Sequence, residues 1–333
     1  MSARMTRRSR LRRFAAPSLL GLSACVLGHA ALAQSFPVKP VRIIVAFPAG
    51  GGTDIVARLL GQKLAEYWGQ QVLVENRAGA SGTIGTEVAA RAVADGHTMF
   101  MGTMGNLTVN KHLFPKMAAD PMRDFAPLSQ VVAVHFVMVA HPSVPAKNVK
   151  DVIVLAKGRP GQLTYGSSGA GGAPHLAGEL LNKMAAIDIA HIPYKGSAII
   201  MQDLLGGQIM FSFDSLLQYL PQIKTGKVKA IGMLGRARSP TLPDVPTLDE
   251  SGAPGYDLTN WFGLVLPAGV SPELTRRLHA DVQKALAVPE VRDKLTAMGS
   301  TVVGSSPEQF GAYMRTESDK WAKLIAEAKI QAQ

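Results

Sequence analysis

Val41–Leu64, VRIIVAFPAGGGTDIVARLLGQKL, decides how the rest of the chain is read. Val41 to Phe47 is apolar except for Arg42, which suits a strand buried on both faces. Pro48 ends it, and Gly50-Gly51-Gly52 make a turn with no Cβ to hold other atoms away. Thr53 is placed to cap a helix, and Asp54 suits the positive end of its dipole. Ile55, Val56, Leu59, Leu60 and Leu64 then recur at helical spacing. A strand, a glycine loop and a helix start together form an anion site, because free N–H groups and the dipole point at one spot. Both nucleotide patterns fail. The phosphate loop would need a lysine, and G-x-G-x-x-G puts Ile55 where its last glycine belongs. A smaller anion, such as a carboxylate, is the better fit.

Outward from this stretch, the first 33 residues differ in kind from the other 300. Arg4, Arg7, Arg8, Arg10, Arg12 and Arg13 form a basic head without an acid, an apolar run spans Phe14 to Leu27, and Ala31-Leu32-Ala33 precedes Gln34. This reads as an export signal cleaved after Ala33, not as an anchor. Leu22-Ser23-Ala24-Cys25 offers a competing lipobox that would lipidate Cys25, and Arg12-Arg13 a weaker twin-arginine reading. Without the leader, the 35 Lys+Arg fall to 29 against 24 Asp+Glu, so the net charge drops from +11 to +5. No basic stripe remains, and nucleic acid is not an expected partner. Cys25 is the single cysteine, so the mature chain has neither disulfides nor thiolate chemistry. The longest later apolar segment, Leu128 to Ala140, is interrupted by Ser129, Gln130 and His135 and is too short to span a bilayer.

Strand, small-residue loop and helix then repeat. Gln71–Glu75 is read as a strand leading into the Asn76–Thr83 loop and a helix from Ile84 to Val93. Thr98–Gly102 is a third strand, ending in Thr103-Met104-Gly105-Asn106; Leu107 to Phe125 is read as irregular. Leu128–Ala140 is expected to cross between domains. A second series follows: strand Leu163–Gly166, the loop Ser167–Gly172, and a helix with Pro174 in its first turn. Ile189–Ile192 delivers Tyr194-Lys195-Gly196, Ile209–Phe213 ends at Asp214, and Lys227–Leu234 completes the series. Helices are expected at Pro272–Ala287, Pro289–Met298 and from Pro307 to about Lys329. The pattern predicts parallel α/β sheets with the ligand at the strand C-termini.

The chain resembles the Bug-type (TctC-like) extracytoplasmic solute receptors of tripartite tricarboxylate transporters. The likeness rests on FPAGGGTDIVAR, VENRAGASGTIG, YGSSG with HLAGEL, HIPYKGS, DLLGGQ, RSPTLPDVPTLDE and WFGLVLPAG, in this order over more than 200 residues. The resemblance implies a two-lobed α/β periplasmic-binding-protein fold of type II, closing over a ligand in the interdomain cleft. It also implies a discontinuous first lobe, 34–137 with 261–333, around a second lobe at 138–260. The implied ligand is a small carboxylate: a di- or tricarboxylate, an acidic amino acid or a related organic acid. The implied partners are the membrane subunits of such a transporter, with a monomeric receptor and no cofactor, metal or catalytic residue.

Residue by residue, the resemblance and the local reading together give a candidate ligand site. On the first lobe it comprises Phe47 and Ala49 as apolar wall, the amides of Gly50, Gly51 and Gly52, then Thr53, Asp54, Thr103, Met104 and Asn106. On the second lobe it comprises Ser167, Ser168, Gly169, His175, Tyr194, Lys195, Gly196 and Asp214. Several of these have plainer roles open to them: Asp54 as a helix-start acid, Lys195 as a solvated rim cation, Asp214 as a cap, His175 as a structural histidine. A carboxylate sensor feeding a two-component system is the alternative function. A secreted serine hydrolase is remote, because G-x-S-x-G begins with Gly166 and Ser168 but closes on Ala170. The mature histidines show no metal-ligand spacing.

Overall fold

The computed structural model describes residues 36–330 apart from 170, 298 and 329. The expected leader, its cleavage after Ala33, the Cys25 lipobox and Arg12-Arg13 lie outside the described residues. Within them, two sheets carry the chain. The first has six strands: β1 (Val41–Val45), β2 (Val72–Asn76), β3 (Thr98–Thr103), β4 (Phe125–Val134), β10 (Asn260–Pro267) and β11 (Ser300–Val302). The second has five: β5 (Phe136–Ala140), β6 (Leu163–Ser167), β7 (Ile189–Pro193), β8 (Phe211–Ser215) and β9 (Lys229–Met233). The helices are α1 (Gly52–Trp68), α2 (Thr83–Ala90), α3 (Asn110–Leu113), α4 (Pro121–Asp124), α5 (Val149–Gly158) and α6 (Ala173–Ala185) in the first half of the chain. After them come α7 (Ser197–Leu205), α8 (Leu216–Lys224), α9 (Leu248–Ser251), α10 (Pro272–Ala287), α11 (Pro289–Ala297) and α12 (Pro307–Ala328).

Strand order in the first sheet is β11-β4-β10-β3-β1-β2, with β1, β2 and β3 parallel and β10 antiparallel to both β3 and β4. In the second sheet the order is β7-β6-β8-β5-β9, with β6 parallel to β7 and β8, and β5 antiparallel to β8 and β9. Strands covered on both faces read as apolar runs. All of β5, FVMVA, and all of β10, NWFGLVLP, are buried. In β1 only Arg42 reaches solvent.

The chain passes between the sheets at His135, the one residue between β4 and β5. It returns with Asn260, the first residue of β10. Leu128–Ala140 is therefore two strands in two sheets. Backbone bonds tie the crossover together, from Leu216 N–H to His135 O at 2.7 Å and from Leu234 N–H to Phe136 O at 2.9 Å. Local rules set many boundaries. Ser271 Oγ accepts the Leu274 N–H at the start of α10, with Pro272 in the first turn, as capping requires. The buried side of α10 is Leu278, Val282, Ala285 and Leu286, one helical stripe.

Several sequence expectations need correction. The sheets are mixed rather than parallel, since β10 and β4 in the first and β5 in the second pair antiparallel with their neighbours. Leu107–Phe125 is not irregular: a wide π-type turn at Gly105–Val109 runs into α3, α4 follows, and Phe125 already belongs to β4. The helix expected over Ile84–Val93 stops at Ala90, and the central strand β10 and the short edge strand β11 come in addition to the expected strands. Thr53 is not the cap of α1. Gly51 holds the extended capping conformation (φ −80°, ψ 166°), and Thr53 already lies within the helix.

Candidate functional site

A cavity of about 50 Å³ lies where the C-terminal ends of β1, β3 and β8 meet the beginnings of β5 and β10. About 10–15 Å³ of such space holds one water. The cavity therefore takes a few non-hydrogen groups, the size of a carboxylate with a short chain. Four helices begin at its wall. Gly51, Gly52 and Thr53 bring α1, Gly172 and Ala173 bring α6, Ser197 and Ala198 bring α7, and Ser215 brings α8.

None of these four helix starts has a side-chain cap. Away from the cavity Asp120 caps α4, Asn148 α5, Thr247 α9 within a capping box and Ser271 α10, whereas α2 and α3 have no side-chain cap. First-turn N–H groups have no partner inside their own helix, and each N-terminus carries roughly half a positive charge. At α8 the Ser215 and Leu216 N–H groups are taken by Asp214 Oδ1 and His135 O, so the donors left for an anion come from the starts of α1, α6 and α7. Among the described residues lining it there is no Lys, Arg or His, and the one ionisable side chain is Asp214. Positive potential here comes from backbone alone.

The sequence-predicted residues divide into three groups. Phe47, Ala49, Gly51, Gly52 and Thr53 line the cavity, as do Thr103, Ser168 and Asp214. Gly169, Tyr194 and Lys195 line a neighbouring cavity of about 250 Å³, which shares Phe47 and Ser168 with the first. The remaining predicted residues do not line the cavity, and all but Gly196 at the rim stand behind the wall, committed to the fold. Asp54 is turned toward its own loop, its Oδ2 accepting the Gly50 N–H at 2.9 Å and the Arg58 Nε–H at 3.0 Å. The Asn76 amide donates to its Oδ1 at 3.0 Å. Gly50, in the left-handed region at φ +84°, thus spends its amide on Asp54 and has none to offer a ligand.

Met104 and Asn106 are buried, and Asn106 Oδ1 accepts the Thr103 N–H at 2.7 Å. They shape the end of β3 from behind. Ser167 is fully buried, its Oγ between the Gly169 backbone and His191 Nε2. His175 accepts the Gly171 N–H on Nδ1 at 3.0 Å and stacks on His191 with ring centres 4.2 Å apart. It is a brace for the loop. Gly196 belongs to the rim, where a Cβ would come within 2.8 Å of Pro48 Cδ from the opposite lobe.

Asp214 is 4% exposed. Its Oδ1 accepts the Ser215 N–H at 2.6 Å, and its Oδ2 has no hydrogen-bond partner. Burial pushes the carboxyl up to about 6, with Ser197 and the Ser215 amide restraining the rise. Sequence reading missed Phe136, Asn260 and Phe262, which reach the wall from the two crossovers. No local pattern marks them. Ser197 and Ser215 did carry a signal, since each stands at a helix start beside a residue already singled out, and Gly172 ends the Ser167–Gly172 loop.

Comparison with known proteins places this architecture. Residues 56–330 match the model of the tripartite tricarboxylate transporter family receptor, TctC, and the chain belongs to that family. Protein BugT of Bordetella pertussis is 33% identical over 313 residues, covering 93% of this chain and 96% of its own. Among solved structures, a Rhodopseudomonas palustris protein with adipate superposes with TM-score 0.86 at 33% identity, over 89% of this chain and 99% of its own. MatC from Rhodopseudomonas palustris, with bound malate, gives TM-score 0.83 at 32% identity over 87% and 100%. The fold is the two-lobed one of periplasmic binding proteins.

Proposed function

We propose that the protein is an extracytoplasmic solute receptor that captures a small carboxylate in the cleft between its lobes and hands it to the membrane subunits of a tripartite tricarboxylate transporter. The observation that carries this reading is the set of four uncapped helix N-termini around a cavity without a cationic side chain. Such a wall favours a compact anion that accepts several N–H bonds at once. Adipate and malate in the two R. palustris structures support the same ligand class. Export with removal of the leader after about Ala33 belongs to the reading and places the receptor in the periplasm. The two lobes divide at His135 and again just before Asn260.

Binding without catalysis is the better account of the serine–histidine contact as well. Ser167 Oγ meets His191 Nε2, but Ser167 does not line the cavity, and His191 Nδ1 has no partner that would orient the ring. A nucleophile needs access and an oriented base. Ser167 has neither.

A thermal-shift screen of small carboxylates tests the function. A ligand that binds only the folded state raises stability by RT ln(1 + [L]/Kd), about 2.7 kcal/mol at a hundredfold excess over Kd. Stabilisation by amines, sugars or neutral solutes with none from any carboxylate rejects the assignment.

A further inference from the structure

The inner wall of the cavity holds side chains that each leave one polar atom unpaired. Asp214, Ser215 and Asn260 are 4%, 2% and 3% exposed, and each carries a polar atom without a hydrogen bond: Asp214 Oδ2, Ser215 Oγ and Asn260 Oδ1. They come from both lobes, since Asp214 and Ser215 end β8 whereas Asn260 opens β10. A buried polar atom is costly unless something completes it, so three on one wall point to a ligand contact.

Their chemistry is the opposite of the rest of the site. The starts of α1, α6 and α7 supply donors, whereas a carboxylate oxygen is an acceptor only, and so is the Asn260 amide oxygen. A ligand carboxylate set against Asp214 would bring two acceptors of like charge together with no cation on the wall. Ser215 can donate or accept, so it serves either end of a ligand.

We infer that the ligand carries a hydrogen-bond donor, a hydroxyl or ammonium group beside its carboxylate, and that Asp214 with Asn260 selects for it. This rests on the carboxylate reading above and narrows it to hydroxy acids and amino acids. The helix starts hold the carboxylate, and the donor turns toward β8 and the start of β10. A plain dicarboxylate satisfies the first half of the site and leaves Asp214 facing a C–H.

Calorimetric titration of the mature protein with matched triplets tests the idea: succinate, malate and aspartate; glutarate, 2-hydroxyglutarate and glutamate; propionate, lactate and alanine. Within whichever chain length binds, a donor-bearing acid should bind on the order of 10- to 100-fold more tightly than its plain partner, the worth of one hydrogen bond to a charged group. Asp214→Asn replaces an acceptor by a donor and should shrink that ratio to about threefold or less. Plain acids binding wild type within about threefold of their donor-bearing partners overturn the inference, whether or not titration in different buffers shows a proton taken up on Asp214. That comparison needs only wild-type protein, so it stands even if Asp214→Asn fails to fold. Failure of all nine acids to bind overturns the inference, and only if no carboxylate in the thermal-shift screen stabilises the protein is the carboxylate function rejected as well.

Discussion

Two glycine loops line the same cavity, Pro48–Thr53 on the first lobe and Ser167–Pro174 on the second, and they are braced by opposite chemistry. The first is held by charge. Asp54 gathers the Gly50 amide, Asn76 and Arg58, and Asn76 also donates to Phe47 O at 2.9 Å. Burial alone would raise the Asp54 carboxyl; the hydrogen bonds from Arg58, Gly50 and Asn76 outweigh it and hold the carboxyl below its usual range. The second loop is held by neutral rings. Burial, with His191 beside it, lowers His175 to about 3, and burial lowers His191 to about 4. Tyr165 Oη donates to Glu179 at 2.8 Å, with the His175 carbonyl 3.2 Å from the same hydroxyl, completing the support.

The two braces therefore fail in different pH windows. The histidine pair has folded values far below the ordinary 6.5, so protons bind the unfolded chain first. Its contribution is full above about 6.5 and drains away as the pH falls toward 4. Asp54, lowered from 3.8, keeps its contribution throughout that window and loses it only in stronger acid. One strand–glycine–helix pattern thus tolerates two kinds of support. What the pattern requires is free helix-start amides, and either brace leaves them free.

The largest expected effect is at the first loop. A Cβ on Gly52 would sit 3.3 Å from the Phe262 ring and 3.6 Å from Ser215 Oγ, so Gly52→Val should fill the cavity. We expect affinity for the best carboxylate to fall on the order of 100-fold or more in calorimetry. Unchanged affinity would show that the α1 amides do not touch ligand. On the second loop, Ser168→Ala removes one hydroxyl from the wall and should cost roughly 10- to 100-fold, with the melt preserved. Were it silent, the second loop would act through backbone only.

The braces themselves can be separated next. Asp54→Ala leaves the Gly50 and Asn76 donors without their acceptor and should lower stability by about 1–3 kcal/mol in denaturant unfolding near neutral pH. A wild-type denaturation curve would remove Asp54 from the account. His191→Gln should flatten the acid side of the stability profile, by up to ~1.4 kcal/mol per pH unit between pH 6.5 and 4. The variant must be subtracted from wild type, because Asp214, raised to about 6, favours the folded state as pH falls and is common to both. A difference curve flat over this range breaks the contrast between the loops. The smallest effect is at the rim: Lys195 is exposed, so Lys195→Ala should change affinity by about threefold or less and mainly at low salt. Loss of binding in that variant would replace the amide cradle by a charge clamp.

Local order set by composition was open to reading before any fold was known. An apolar run marked β1 as doubly covered, glycine and proline marked the loop ends, and Pro272 and Pro307 marked helix starts that lie where they do because capping is decided by neighbours in the chain. By contrast, β5 was legible only as part of one apolar crossing segment, and β10 was not read as a strand. The glycine loops were legible for the same reason. Side-chain direction was not. Whether Asp54 points at ligand or back at Gly50 depends on Asn76 and Arg58, which approach from one strand and one helical turn away. Whether Ser167 or Ser168 faces the cavity depends on His191, on the next strand over. Phe136, Asn260 and Phe262 reach the wall only because the chain crosses between sheets at His135 and again at the start of β10. Sequence determined where strands end and helices begin, since those choices are made within a few residues. The tertiary structure alone decided which atoms meet in the cleft, since that depends on contacts between side chains from different strands and helices, near and far in the chain.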